Sequence, residues 1–167
     1  GVISGFPDGE FKGYLPVNRA QAAKILLNSA GKQVYQLRNT GRFSDVINGE
    51  WYEPYVMSAA QYGIISGYPD GSFRPGDRVN TAEFLKMISL SFDANHGLPY
   101  NYIDVSEENW FAVYAGIAEA YYLFPSRSEY LYPAAQLSRK DVAIGIYQML
   151  QAIEAPSLPT PPPPPDP

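Results

Sequence analysis

The chain has no cysteine and one histidine, His96. Without cysteine there is no disulfide framework and no thiolate metal site, although the compartment stays open. The lone histidine lies in a linker-like stretch, Asp93-Ala94-Asn95-His96-Gly97, and no nucleophile–base–acid set accompanies it. Basic residues are few, 12 Lys and Arg against 17 Asp and Glu. That balance argues against a nucleic-acid binder, which needs a basic face. The formal charge of −5 also means that an anionic ligand must be held by a local basic pocket. No apolar run is long enough to enter a bilayer as a spanning helix, and no signal-peptide pattern is visible.

A twelve-residue phrase, in contrast, is present twice. Gly1-Val2-Ile3-Ser4-Gly5-Phe6-Pro7-Asp8-Gly9-Glu10-Phe11-Lys12 returns as Gly63-Ile64-Ile65-Ser66-Gly67-Tyr68-Pro69-Asp70-Gly71-Ser72-Phe73-Arg74. The offset of 62 persists beyond it, from Val17-Asn18 to Val79-Asn80 and from Lys24 to Lys86. A constant offset through loop and helix marks a duplicated supersecondary unit. A third, worn copy is visible: Phe43-Ser44-Asp45-Val46 and Trp51 recur as Tyr102-Ile103-Asp104-Val105 and Trp110, and Val79 to Glu83 recurs as Leu137 to Asp141. Its Gly-Tyr-Pro-Asp-Gly loop is replaced by residues 122–130. Gly1 aligns with Gly63, so the chain opens in mid-repeat and is expected to be a fragment of something longer.

Within a unit, Trp51, Tyr55, Ala59 and Tyr62 are spaced as one helical stripe, and Gly63 suits a left-handed stop. Pro69-Asp70-Gly71 is turn chemistry, and Phe73 is expected to return to the core. Asn80 with Glu83 reads as a capping box, and Val79 with Phe84 as a hydrophobic staple. Asn18 with Gln21, and Ser138 with Asp141, repeat the pattern. The expected fold is mainly α, three tandem helix-loop-helix repeats in a pseudo-threefold bundle, the first truncated at its N-terminus. The boundaries are 1–42, 43–101 and 102–154, with a proline-rich spacer at 155–167 that is stiff and extended.

These motifs, in this order, resemble the S-layer homology domain, whose repeat runs Phe-x-Asp-Val, Gly-Ile-Ile-x-Gly-Tyr-x-Asp-Gly-x-Phe-x-Pro, then Ile-Thr-Arg-Ala-Glu. The resemblance covers residues 1 to about 153. It implies a non-catalytic, extracellular module of the bacterial cell wall or S-layer, with no cofactor. The partner it implies is a secondary cell-wall polysaccharide or peptidoglycan-linked glycan, often pyruvylated, bound in grooves between repeats. The arginine of Thr-Arg-Ala-Glu is a recurrent ligand contact in that family. Here it is kept as Arg19 and Arg139 and replaced by Thr81, so at most two of three grooves are expected to hold it.

The physics suits an acidic sugar. A first-turn arginine adds a bidentate carboxylate grip to the positive helix end and its unpaired N–H groups. Phe6 and Tyr68 are placed to stack on a sugar face, and Gly67 and Gly71 to let the backbone approach. The candidate ligand-binding residues are Arg19, Arg139, Phe6, Gly67, Tyr68, Asp70, Gly71, Lys24 and Lys86. Bland roles stand beside these: an arginine paired with a neighbouring carboxylate, solvated lysines, Asp45 and Asp104 bonding local backbone, and Trp51 and Trp110 in the core.

Glu83, Asp70 and Asp77 have cap or turn roles that argue against a paired-carboxylate glycosidase, and no EF-hand spacing is present. Two alternatives remain open at this level. One is a self-associating lattice module with degenerate grooves. The other is a fragment of a wall-anchored carbohydrate-active enzyme.

Overall fold

The computed structural model describes residues 3, 5 and 7–154; Phe6 and the proline-rich spacer lie outside them. Among the described residues there are five helices and no strand: α1 (Arg19–Ser29), α2 (Glu53–Gln61), α3 (Thr81–Ser91), α4 (Ala112–Ala120) and α5 (Arg139–Glu154). The mainly helical fold expected from the sequence is what the chain adopts.

The starts of α1, α3 and α5 follow one chemical scheme. Asn18 and Asn80 hold extended backbone, and their side chains accept from the N–H of Gln21 and Glu83. Gln21 and Glu83 accept in return from the cap N–H, each at 3.1 Å. Ser138 and Asp141 do the same with a shorter pair of side chains. Each cap contributes about 1 kcal/mol.

The residues just ahead of these caps form a closed ring. Val17 N–H donates to Leu137 at 3.0 Å, Leu137 N–H to Val79 at 3.1 Å, and Val79 N–H to Val17 at 3.0 Å. All three side chains are fully buried. The next donors keep the cyclic order: Arg19, Thr81 and Arg139 N–H reach the carbonyls of Asp77, Ala135 and Leu15. Ala20, Ala82 and Lys140 N–H reach Pro75, Pro133 and Gly13. The first-turn N–H groups that every helix leaves without an internal partner are therefore taken by neighbouring loops. The sequence reading expected them to be open to an anion; they are not.

Around this hub α2 packs on α1 and α4 on α3, while α1 also touches α3 and α5. Leu26, Leu27, Phe73, Phe84, Ile88 and Ile146 are fully buried. Each contributes about 1.5–3 kcal/mol by leaving water. Phe73 returns to the core as expected, and Val79 and Phe84 are buried together at the start of α3.

Two sequence expectations are corrected. The stripe led by Trp51 is out of phase, because α2 begins at Glu53 with Pro54 in its first turn and buries Val56, Met57, Ala59 and Ala60. Trp51 and Trp110 are accordingly not core; they are 48% and 59% exposed. Asp45 and Asp104 do bond backbone, but far along the chain. Asp45 accepts from Phe73 and Arg74 N–H, each at 2.7 Å, and Asp104 from Leu131 and Tyr132 N–H, each at 2.8 Å.

Candidate functional site

The loop–helix units meet at seams, and two seams open into clefts. The first, about 470 Å³, is lined by Arg19, Ser66, Gly67, Tyr68, Glu83, Lys86 and Trp110, with Ile64, Ile65, Asn80 and Met87. The second, about 300 Å³, is lined by Ile3, Gln21, Lys24, Ile25, Asn28, Trp51 and Arg139. The offset of 62 carries Ile3, Gln21, Lys24 and Ile25 onto Ile65, Glu83, Lys86 and Met87. Both clefts are thus one design, in which each borrows its arginine from the start of a neighbouring helix.

In the first cleft Arg19 is 6% exposed. Its Nε donates to the Phe73 carbonyl at 2.9 Å and its Nη1 to Glu83 Oε1 at 2.5 Å. Its guanidinium also lies 4.8 Å from the centroid of the Tyr68 ring and 4.8 Å from that of Phe73. The Tyr68 hydroxyl donates to Glu83 Oε1 at 2.7 Å. Burial, and then that hydrogen bond, push the Tyr68 hydroxyl up from the ordinary tyrosine value. Lys86 donates to Ser66 Oγ at 3.0 Å. Burial, with the nearby Arg19 charge, lowers its affinity for the proton. The pairing of a first-turn arginine with an internal carboxylate, one of the bland roles, is realised at Arg19.

In the second cleft Arg139 is half-buried. Its Nε donates to the Phe11 carbonyl at 3.0 Å, and its guanidinium lies 5.1 Å from the Phe11 ring centroid. The Lys24 ammonium is 5.5 Å from the Trp51 ring centroid and 5.2 Å from that of Tyr55, a cation held on two aromatic faces. Lys24 and Lys86 thus both line clefts, Lys86 half-buried and Lys24 exposed.

The remaining candidates fall elsewhere. Gly67 lines the first cleft, with φ +78°, but its missing side chain makes room for protein: an added Cβ would lie 2.7 Å from the Phe43 ring and 2.8 Å from the Ser72 carbonyl. Asp70 and Gly71 lie outside both linings. The Asp70 carboxylate accepts from the Ser72 hydroxyl, the Ser72 N–H and Arg74, which hold it well below the usual carboxylate range. Phe6 is not among the described residues.

At the third seam the structure supplies what the sequence appeared to have lost. Thr81 stands where Arg19 and Arg139 stand, yet Arg127 reaches in from the loop after α4. Its Nη1 donates to Thr81 Oγ1 at 2.9 Å and to the Leu131 carbonyl at 2.6 Å, and it lies 4.3 Å from the Phe124 ring centroid. Leu131 is the counterpart of Phe73, since each gives its N–H to the distant aspartate. All three seams hold a guanidinium against the same loop carbonyl. The available signal was an arginine appearing in the replaced loop as one vanished from the helix start.

A roomier hollow of about 670 Å³, lined by residues including Tyr100, Tyr102, Val105, Glu107 and Val113, has no cation in its wall. Among the described residues no group of three or more His, Cys, Asp and Glu is arranged to hold a metal ion, and no helix is long and apolar enough to cross a membrane.

The comparisons with known proteins agree with this architecture. The family model described as "S-layer homology domain" matches residues 1–23 and 42–85. Cell surface glycoprotein 1 of Acetivibrio thermocellus is 29% identical over 121 residues, 66% of this chain and 5% of that protein. The Cellulosome-anchoring protein of the same organism is 30% identical over 123 residues, 71% of this chain and 27% of its own length. Middle cell wall protein of Brevibacillus brevis is 30% identical over 92 residues, 53% of this chain and 8% of its own. The chain thus spans between 5% and 27% of the lengths of these relatives. The repeated phrase, the three capped helix starts and the family match agree, and residues 1–23 and 42–85 of this chain carry S-layer homology domain sequence.

Proposed function

We propose that this chain is a non-catalytic anchoring module of the bacterial cell surface. It tethers a larger extracellular protein by holding an acidic glycan of the cell wall in the clefts between its repeats. The glycan class is a secondary cell-wall polysaccharide or peptidoglycan-linked glycan bearing pyruvate ketals. The single observation that carries this reading is the shared make-up of the clefts: an arginine, a lysine from another helix and an exposed indole in each lining, twice over. A carboxylate is gripped by the cations, while the apolar face of a pyranose ring covers the indole. The family and the surface proteins it is similar to support the anchoring role.

Purified cell-wall sacculi test it directly. The protein is expected to sediment with them, and mild acid removal of ketal pyruvate is expected to weaken that binding about tenfold or more, the loss of charge-assisted hydrogen bonds. Lys24→Ala, at an exposed side chain, should weaken binding while lowering stability by no more than about 1 kcal/mol, the worth of an exposed cation–π contact. Sedimentation that is indifferent to both treatments would defeat the acidic-glycan reading. Self-assembly without sacculi would favour a lattice module instead.

A further inference from the structure

The turn ahead of α2 carries a reactive pair that plays no part in the clefts. Asn48-Gly49 is the one Asn-Gly step in the chain. Both residues are exposed, in a turn closed by Glu50 N–H donating to the Ile47 carbonyl at 3.3 Å. A Cβ added at Gly49 would meet nothing within 4 Å, so the space beside that peptide is open. With no side chain on the following residue, an asparagine amide meets little obstruction on its way to the next backbone nitrogen. The Gly49 nitrogen gives up its proton and attacks Asn48 Cγ. A new C–N bond closes a succinimide ring, the bond from Cγ to the side-chain nitrogen breaks, and that nitrogen takes up a proton and leaves as ammonia. Water then opens the ring at either carbonyl, to aspartate or isoaspartate. The net change is water in and ammonia out.

One contact opposes the first step. The Gly49 N–H donates to Glu53 Oε2 at 2.8 Å. Glu53 is 2% exposed, and its carboxylate is fixed by Asn39 N–H at 2.8 Å and Arg38 Nη1 at 3.0 Å. Taking the proton from Gly49 breaks its bond to Glu53 and sets an amide anion against a buried carboxylate. Losing a hydrogen bond to a charged acceptor slows such a step about tenfold or more. The third copy lacks both partners of this arrangement. In the register that places Trp110 on Trp51, Glu107-Glu108 replace Asn48-Gly49 and Ala112 replaces Glu53. The carboxylate is present in the copy that has the reactive step and absent from the one that does not.

We infer that Asn48-Gly49 is a deamidation site and that Glu53 restrains it in the folded chain. Conversion proceeds when the Gly49 N–H leaves the carboxylate. In the isoaspartyl product the backbone runs through Cβ. The path from Asp45, tied to the Phe73 and Arg74 N–H groups, to Trp51 in the lining of the second cleft then gains a backbone atom.

Incubation in warm, mildly alkaline buffer, followed by mass spectrometry of the peptide carrying residue 48 and separation of its isoaspartyl form, measures the rate. The native chain is expected to convert about tenfold or more slowly than the same chain unfolded in urea. Glu53→Gln keeps the shape of the side chain, removes its charge and should speed conversion several-fold in the folded protein. Arg38→Ala is the control. That side chain is 67% exposed, and its loss takes another partner from Glu53 while leaving the Gly49 hydrogen bond in place, so the rate should stay near that of the wild type. Hydrogen exchange at the Gly49 amide should quicken in Glu53→Gln and not in Arg38→Ala. A thermal melt verifies that both variants are folded at the temperature used. Equal rates in the native and unfolded wild-type chain overturn the inference without recourse to any variant, as does an unfolded chain that keeps its amide. An unchanged rate in folded Glu53→Gln overturns it too. So does equal acceleration in both variants, which would mark a general loosening of the turn.

Discussion

Arg127 and Thr81 are joined by a hydrogen bond of 2.9 Å, and the same guanidinium nitrogen donates to the Leu131 carbonyl. At the first seam the corresponding carbonyl, that of Phe73, is served by Arg19 from the start of α1. The two arginines reach equivalent places from unrelated points of the chain. Burial makes the Arg127 charge harder to hold than that of a free arginine, which reflects how fully the loop encloses it.

The exchange predicts an interaction between positions 81 and 127. Arg127→Ala leaves the Leu131 carbonyl without this donor and should destabilise by about 1–3 kcal/mol. Thr81→Arg forces two guanidiniums toward one carbonyl and should also destabilise. Thr81→Arg with Arg127→Ala rebuilds the arrangement of the other seams, so the double variant should be more stable than the sum of the singles by about 1 kcal/mol or more. Urea denaturation of the four proteins measures the cycle; strict additivity would show that the two side chains do not exchange roles.

Glu53 predicts a pH dependence. Its carboxylate accepts from Gly49 N–H and Asn39 N–H, each at 2.8 Å, and from Arg38 Nη1 at 3.0 Å. The Gly49 N–H, then that of Asn39, holds its pKa below the ordinary 4.5. A carboxyl group depressed on folding stabilises fully above its unfolded pKa and loses that contribution as pH falls through the folded value. Stability should therefore decline as the solution is acidified below about pH 4.5. Glu53→Gln should be less stable at neutral pH and show a shallower decline. Chemical denaturation across that window reads the slope, and an unchanged slope would show that Glu53 does not carry it.

Tyr122 sits at φ +55°, where the aligned residue after α2 is Gly63 at φ +74°. The tyrosine ring is 62% exposed, so little packing depends on it. Left-handed backbone costs an L-residue about 1–2 kcal/mol, part of which glycine returns through its greater freedom in the unfolded chain. Tyr122→Gly should stabilise by about 1 kcal/mol, a rise of a few degrees in Tm. A lower Tm would place a favourable contact on that ring.

Much of this was legible in the sequence because it is local. Asn18, Asn80 and Ser138 announce their helices through partners three residues away, and Gly63 ends its helix in the left-handed conformation that its position suggested. The misreadings are of another kind. The α2 stripe was counted from Trp51, although the helix starts two residues later, and that phase error put an exposed indole into the core. The helix-tip N–H groups looked open because their acceptors, Asp77, Ala135 and Leu15, lie in other units. Arg127 escaped notice for the same reason: periodicity reports which face of a helix is apolar, not which distant loop arrives beside it. The pairing of Lys24 and Lys86 with cleft walls was visible only as an unbroken register.

The ring through Val17, Leu137 and Val79 has one further consequence. Each residue gives to one neighbour and takes from the other, so withdrawing any member strands a buried donor on one side and a buried acceptor on the other. The clefts open at seams that exist only while this circle is complete. A force on any one of the three helix starts is therefore shared among all of them, and they should give way together.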